Sequence, residues 1–332
     1  MGRQLDDPKF DRHLASLVPH QRRRGRISDG DIARTMIGLI CVGKPHFDAV
    51  AEFGEDRFFR QALGLETLPS AEILRQRIQG MPEKVADAFR DFTTRLLGGQ
   101  QDLLAEEYRG DRWMPIHIDV TPMDNSGSHK EGVSCTYKKF DGYAPIVAYA
   151  GPHGFMLNNQ LRAGSSHCNC EGTAKWLEQT LKRAEAVAPE GVRRLVVTDA
   201  GHDAAENLLL FTQTPDTDFV VKRNLRRSDP ADWLAKARRQ TNEPDQLDRG
   251  ARAWYGQRVE TVTVGASEEE GADQQLRLRV VWRATERTAE PDGQLLTEPE
   301  VTIDAWWTSL DWDPEHIQTF YQQRGTSGRF PQ

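Results

Sequence analysis

Residues 114–120, MPIHIDV, and 193–201, RRLVVTDAG, decide the fold. Each is a short apolar run that reads as a strand, and each delivers an aspartate, Asp119 or Asp199, at its end. RRLVVTDAG is nearly continuous in apolar residues, the pattern of a strand buried on both faces. Around these runs the expected order is β-β-β-α-β-α-β. The strands are MPIHIDV, GVSCTYKKF (132–140, closed by a turn at Asp141-Gly142), YAPIVAYAG (143–151), RRLVVTDAG and DFVVKRN (218–224). The helices are GTAKWLEQTLKRAEAV (172–187), with Ala174, Leu177, Leu181 and Ala184 on one face, and HDAAENLLLF (202–211). A meander running into alternating units matches a ribonuclease-H-like α/β core, a mixed sheet with helices on its faces.

Outward from this core the periodicity changes twice. Residues 1–110 are expected as an all-helical N-terminal domain for DNA binding or dimerisation. Its helices begin at Ser28 (Ile32, Met36, Ile37, Leu39 and Ile40 at helical spacing) and run through 48–63, 70–79 and 83–97, with Ser70 as a cap. The turn near Gly64–Ser70 fits a helix-turn-helix or an ordinary bundle. The core spans 111–224. Residues 225–305 read as a β-rich insertion of three strand-like runs, RAWYGQRVETVTV, LRLRVVWRATE and EVTIDAWWTSL, with hairpin loops at 267–273 and 289–300. Residues 306–332 return to the core, with a helix starting at Pro314.

Composition narrows the class. The 332 residues hold 43 Lys+Arg against 50 Asp+Glu, a net charge of -7, so any contact with nucleic acid must come from local basic patches rather than from overall charge. Four cysteines without a CxxC pair exclude a disulfide framework. No apolar run approaches the roughly 18 residues of a spanning helix, and MGRQLDDPKF has no signal core. The expectation is a soluble cytoplasmic protein with no membrane partner.

A carboxylate at the end of a buried strand is costly unless paired or metal-bound. If the two strands are neighbours, Asp119 and Asp199 face each other at one sheet edge, where ligand sites of open α/β sheets lie. Oxygen ligands there suit Mg2+ or Mn2+, which can activate water or a 3′-hydroxyl against a phosphodiester. Alternatively, each aspartate caps a turn or the next helix. Lys222, Arg223, Arg226 and Arg227, with Lys236, Arg238 and Arg239 on the next helix, form either a phosphate-contacting patch or a solvated face. His129-Lys130 and Lys138-Lys139 lie near the Asp119 strand. His167-Cys168-Asn169-Cys170 reads as a surface turn rather than zinc, since no second pair matches it. Trp254, Trp282, Trp306 and Trp307 read as core or cross-strand pairs, with stacking on a base as the minority reading. His202 and Asp203 read as capping the following helix, with His202 as an alternative support for a metal ligand.

Three strings, 119–151 (DVTPMDNSGSHKEGVSCTYKKFDGYAPIVAYAG), 160–173 (QLRAGSSHCNCEGT) and 196–207 (VVTDAGHDAAEN), resemble bacterial insertion-sequence DDE transposases. The nearest likeness is to the branch numbered thirteen-eighty, in the group with a Y-x2-R-x3-E signature. The resemblance covers about residues 25–328. It implies a ribonuclease-H-like catalytic domain with a β-rich insertion before its last acid. It also implies Mg2+-dependent cleavage and strand transfer of double-stranded DNA at terminal inverted repeats and a target, in the nucleoid. A homodimer on that DNA is expected. Asp119 and Asp199 correspond to the family's first and second catalytic acids and metal ligands. Tyr321 and Arg324 match the start of the signature and are expected near phosphate, but position 328, where the third acid belongs, is Gly328. Asp304, Asp311, Asp313 and Glu315 are nearby acids at other spacings. The third acid is therefore unknown, and the expectation is a truncated or frameshifted copy of impaired activity. The alternatives are a noncatalytic DNA-binding product that acts on an intact transposase, and a stand-alone nuclease that recruits another acid.

Overall fold

The computed structural model describes residues 8–18, 27–226, 228–241, 243–265, 273–289 and 294–327. The chain divides into two compact units, Met1–Leu96 and Leu97–Gln332.

The described part of the first unit is helical. α1 is Pro8–Leu17 and α2 is Asp29–Cys41; α3 is Arg57–Ala62, α4 is Ala71–Gln79 and α5 is Val85–Gly98, whose end crosses into the second unit. Ser28 starts α2 with a capping box: its Oγ accepts the Asp31 N–H at 3.0 Å, and Asp31 accepts the Ser28 N–H at 2.8 Å. Ser70 caps α4 as expected, accepting the Ile73 N–H. The single helix expected over 48–63 is instead a 3-10 stretch, Phe47–Phe53, and the short α3, because Asp56 caps a new start at Phe59 N. The link between α3 and α4, residues 63–70, is longer than the three- to four-residue turn of a helix-turn-helix, which favours the bundle reading. Leu14, Ile32, Leu39 and Leu74 are fully buried in this unit's core.

The second unit is built on one mixed sheet of ten strands. β1 is Glu106–Tyr108 and β2 is Asp111–Val120. β3 (Met123–Asp124), β4 (Ser134–Cys135) and β5 (Asp141–Tyr143) form a small separate sheet. β6 is Ile146–Ala150, β7 is Phe155–Gln160, β8 is Arg193–Thr198 and β9 is Thr217–Lys222. β10 is Asp245–Gln246, β11 is Arg252–Val264, β12 is Gln274–Ala289 and β13 is Leu295–Thr308. Between them run α6 (Thr173–Val187), α7 (Ala205–Gln213) and α8 (Pro230–Gln240); α9 (Pro314–Ser327) follows β13. The large sheet has the order β10-β11-β12-β13-β9-β8-β2-β6-β7, with β1 paired to β2. β8 lies parallel to both β2 and β9, which is why its sequence is apolar on both faces. The strands from the expected insertion do not form a separate sheet. β13 pairs with β9 through Trp306↔Lys222, and β11 and β12 continue the same surface.

Three expectations change. GVSCTYKKF is not a core strand: only Ser134 and Cys135 pair, the chain turns back between Thr136 and Phe140 with Lys139 at φ 63°, and Asp141-Gly142 belongs to β5. The core meander is β2-β6-β7, and its third member comes from GFMLNNQ. On α6 the buried face is Trp176, Leu177, Leu181 and Ala184 with Thr173, Thr180 and Val187, whereas Ala174 is exposed. Of the first expected hairpin loop, 267–273, all but Asp273 lies outside the described residues. In the second, residues from Leu295 onward already belong to β13.

Alternation sorts the sheet's two faces. Met114, Ile116, Ile118 and Val120 of β2 and Val196 of β8 share a core with α6 and α7. Trp113, Leu195, Val197, Val220 and Trp306 pack on the other face with Trp312, Ile317 and Phe320 around α9. Trp254, Trp282, Trp306 and Trp307, in or beside the expected insertion, are all buried. Among the described residues, no helix is long and apolar enough to cross a membrane.

Trp282 shows how tightly β11 and β12 fit. It stands opposite Gly256, is 1% exposed, and its Nε1 donates to the Trp233 carbonyl at 3.2 Å. A Cβ at Gly256 would lie 2.2 Å from Trp282 Cζ2. We expect Gly256→Ala to destabilise the protein by about 1–3 kcal/mol through overpacking, read as a lowered urea midpoint. An unchanged midpoint would show that the indole relaxes freely.

Candidate active site

Parallel pairing sets the site. β2 and β8 are in register at Ile118↔Thr198, so the next residues, Asp119 and Asp199, stand side by side at the strands' C-terminal ends. Alternation puts both on the face that carries Trp113, Leu195 and Val197, which is also the face covered by α9. Adjacent strands are about 4.8 Å apart, so the two carboxylates rise from neighbouring points of one surface.

Each carboxylate is also locally anchored. Asp119 accepts its neighbour's Val120 N–H at 2.9 Å. Asp199 starts a 3-10 turn, Ala200–His202; its Oδ1 accepts the Gly201 N–H at 3.1 Å and lies 3.1 Å from His202 Nδ1. The turn-capping alternative thus holds for Asp199 together with its place at the strand end. His202 is fully buried, and it does not cap α7, which begins later at Ala205. Asp203 does not cap α7 either. It accepts the Trp307 indole N–H and the Asn224 N–H, both at 2.8 Å, and so joins the turn after β8 to β13 and to the loop after β9.

Two residues reach this edge without having been expected there. Tyr137, carried by the 121–145 excursion, has its hydroxyl pKa raised by partial burial and then by Asp119, Asp199 and Cys168. Cys168, half-buried, has its thiol pushed from 9.0 to about 11 by burial, with Asp199 and Asp119 adding to the shift. The His167–Cys170 loop is therefore no free surface turn. Arg162 holds it through the His167 carbonyl and Thr173 Oγ1, both at 3.3 Å, and Asn169 Nδ2 donates to the Gly201 carbonyl at 2.9 Å. Asn207 supports it, donating to Asn169 Oδ1 at 2.8 Å and to the His202 carbonyl at 3.1 Å. Cys170 faces Arg162 and Thr173 instead.

Paired carboxylate oxygens at adjacent strand ends suit a hard divalent cation, and Asp119 and Asp199 would hold it. Cys168 and His202 also flank Asp199.

The expected basic patch is split. Lys222 pairs with Asp304 at 2.9 Å. Arg223 is drawn inward, 2.8 Å from Glu260 and 4.4 Å from the Trp307 ring centre. Arg238 is held by Glu286 at 2.7 Å. Arg226, Lys236 and Arg239 are exposed, with Arg226 at φ 52°, and Arg227 lies outside the described residues. Arg226, Asn224 and Ser228 line a cleft of about 500 Å3 that Asp203, Arg223 and Trp307 also border.

Tyr321 packs 5.6 Å from Trp306. Arg324 lies in α9, but its side chain is outside the described part, as is Gly328. The neighbouring acids each have a partner, and that of Asp304 stands beside Asp199, since Lys222 follows Val221, the register partner of Thr198. Asp304 pairs with Lys222, Asp311 and Asp313 act on Arg279 of β12, and Glu315 acts on Tyr255 of β11. β11 and β12 are separated from β8 by β13 and β9.

The family described as Transposase DDE domain group 1 matches residues 3–330. The chain belongs to the DDE transposase family. The match spans nearly the whole chain, so both compact units fall within the family's pattern. No curated protein matches the sequence. A DDE transposase acts on DNA.

The raised thiol of Cys168 has a measurable consequence. At pH 8 its alkylation by iodoacetamide should run about 100-fold slower than that of an otherwise equal thiol titrating at 9.0, because only the thiolate reacts, and it should keep rising toward pH 11. Asp119→Asn should speed it. Peptide mass spectrometry gives the rates; a pH profile levelling off near 9 would refute the acidic surroundings of this thiol.

Proposed function

We propose that this protein is an insertion-sequence transposase that cleaves double-stranded DNA at terminal inverted repeats and joins the ends to a target, with Mg2+ or Mn2+ as cofactor and a second copy of the chain on the DNA. The core would be ribonuclease-H-like, formed by β2, β6, β7, β8 and β9 with α6 and α7, the remaining strands being its insertion. The N-terminal helical part would serve DNA binding or pairing of the two copies. One observation carries the reading: Asp119 and Asp199 leave matched positions of adjacent parallel strands on one face. Branch thirteen-eighty membership rests on the three quoted strings.

Bound divalent metal supplies Lewis-acid charge at the scissile phosphate and lowers the pKa of an attacking water or 3′-hydroxyl. The protein's share is positional. Asp119 and Asp199 present oxygens from a rigid sheet edge, and the Asp199 turn is fixed by Gly201 N–H and His202. Asp203 keeps the loop bearing Asn224 and Arg226 close to that turn. Arg226, with Lys236 and Arg239 on α8, all exposed, would contact DNA backbone; Arg227, Tyr321 and Arg324 are further candidates for phosphate contact.

Calorimetric Mn2+ titration should give weakening of at least about 10–100-fold in Asp119→Asn, since losing a ligand costs no less than losing a group that supports one. Mg2+-dependent nicking of end DNA should fall with it. Equal Mn2+ binding by both proteins removes Asp119 from the site.

A noncatalytic DNA-binding role is the second reading, and Gly328 at the expected third-acid position favours it. DNA binding without nicking, under conditions where Mn2+ binds, would select it. Under either reading, binding to duplex ends should weaken steeply with salt, and Arg226→Ala should flatten the log–log slope by about one unit for the lost phosphate contact. An unchanged slope would mean that Arg226 faces solvent.

A further inference from the structure

We propose that Cys168, Asp199 and His202 form a second, softer metal position that takes a borderline cation of the Zn2+ class. One ligand atom from each residue lies within 4.8 Å of the other two. The set combines thiol, carboxylate and imidazole, which suits Zn2+ and Co2+ and does not suit Mg2+.

The independent observation is His202. Its side chain is fully buried with Nε2 lacking a hydrogen-bond partner, a costly placement for an imidazole, and its Nδ1 lies only 3.1 Å from Asp199 Oδ1, close to the spacing of two ligands on one cation. Nδ1 is the ring nitrogen on the side of Asp199; with the ring proton on Nε2, the Nδ1 lone pair faces the cluster and would ligate the metal. Gly201 makes room for the cluster: a Cβ there would stand 2.5 Å from Cys168 Sγ and 3.1 Å from Asp199 Oδ1. The Asn169 and Asn207 hydrogen bonds hold the cysteine loop against the Asp199 turn, so the three ligands come together without a large rearrangement. Tetrahedral zinc, with bonds of about 2.0–2.3 Å, needs its ligand atoms roughly 3.3–3.8 Å apart, and rotation of the Cys168 side chain covers the difference. Three protein ligands leave the fourth position to water. On binding, the Cys168 S–H bond breaks, its proton goes to solvent and the thiolate takes the metal.

Asp199 belongs to both positions, so a soft cation here competes with Mg2+ at the carboxylate pair and silences the enzyme. That competition rests on the proposed function; the binding does not.

The test uses the full chain and Co2+, whose thiolate charge-transfer absorption reports a sulfur ligand directly. Wild type, Cys170→Ser and Asp119→Asn should develop the band, and Zn2+ should displace it. Cys168→Ser should lose it, and His202→Gln should require about 10–100-fold more Co2+. A second measurement, independent of any variant's folding, is Zn2+ protection: alkylation of Cys168 in wild type should slow at least tenfold with Zn2+ present, while that of Cys135 stays unchanged. No band in wild type, a band that persists in Cys168→Ser, or no protection of Cys168 would overturn the proposal. Asp119→Asn separates the two sites. If it keeps both the Co2+ band and wild-type Mn2+ binding, the carboxylate-pair reading fails while the softer position stands; if it loses the band, an independent soft position is refuted.

Discussion

The parallel pairing of β2 with β8 is the constraint on which the rest depends. A parallel pair forces the chain to leave one strand end and return to the opposite end of the neighbour, here by way of the antiparallel β6-β7 excursion and α6. That return path makes the two strands finish at the same edge. The residues that follow Ile118 and Thr198 are therefore neighbours in space despite their separation in sequence. Antiparallel pairing would have put the two aspartates at opposite edges. Every functional statement about this protein grows from that one register.

The sheet also explains where positive charge went. Arg223 and Arg258 both converge on Glu260, whose burial alone would raise its pKa, yet the two guanidinium groups hold it below the ordinary range. Both arginines lie over tryptophan rings: Arg223 is 4.4 Å from Trp307 and Arg258 is 4.3 Å from Trp233. Such an arrangement fixes the hairpin strands to the sheet and α8, so part of what looks like a DNA-binding cluster in sequence is internal framework. Only side chains beyond this framework, Arg226 among them, remain exposed.

The core strands were legible because burial on both faces leaves an unmistakable apolar run, as in Leu195–Val197, and because helix starts such as Ser28 and Ser70 carry their caps in sequence. GVSCTYKKF misled because its valine, cysteine and tyrosine alternate like a strand. The backbone reverses at Lys139, a reversal that side-chain pattern does not encode. β7 was harder still: it is the sheet's last strand and partly polar, and its Asn158 is satisfied by Thr180 of α6 at 2.8 Å rather than by an apolar neighbour. Asp119 and Asp199 were visible as acids ending apolar runs. Cys168 and Tyr137 were not, since their approach depends on loops whose conformation is set by Arg162, Asn169 and the small β3–β5 sheet.

The pairing of Lys222 with Trp306 has a consequence for how the molecule comes together. Helices α6 and α7 lie close in sequence to the strands they cover, so that side of the sheet can be closed early. The opposite side, paved by Trp113, Leu195 and Val197, waits for Trp312, Ile317 and Phe320, which are made more than a hundred residues after those strands. Loop closure across so long an intervening segment is entropically slow. The surface that carries both acids is thus roofed over late, and during synthesis it is the greasy, adhesive side of an unfinished chain.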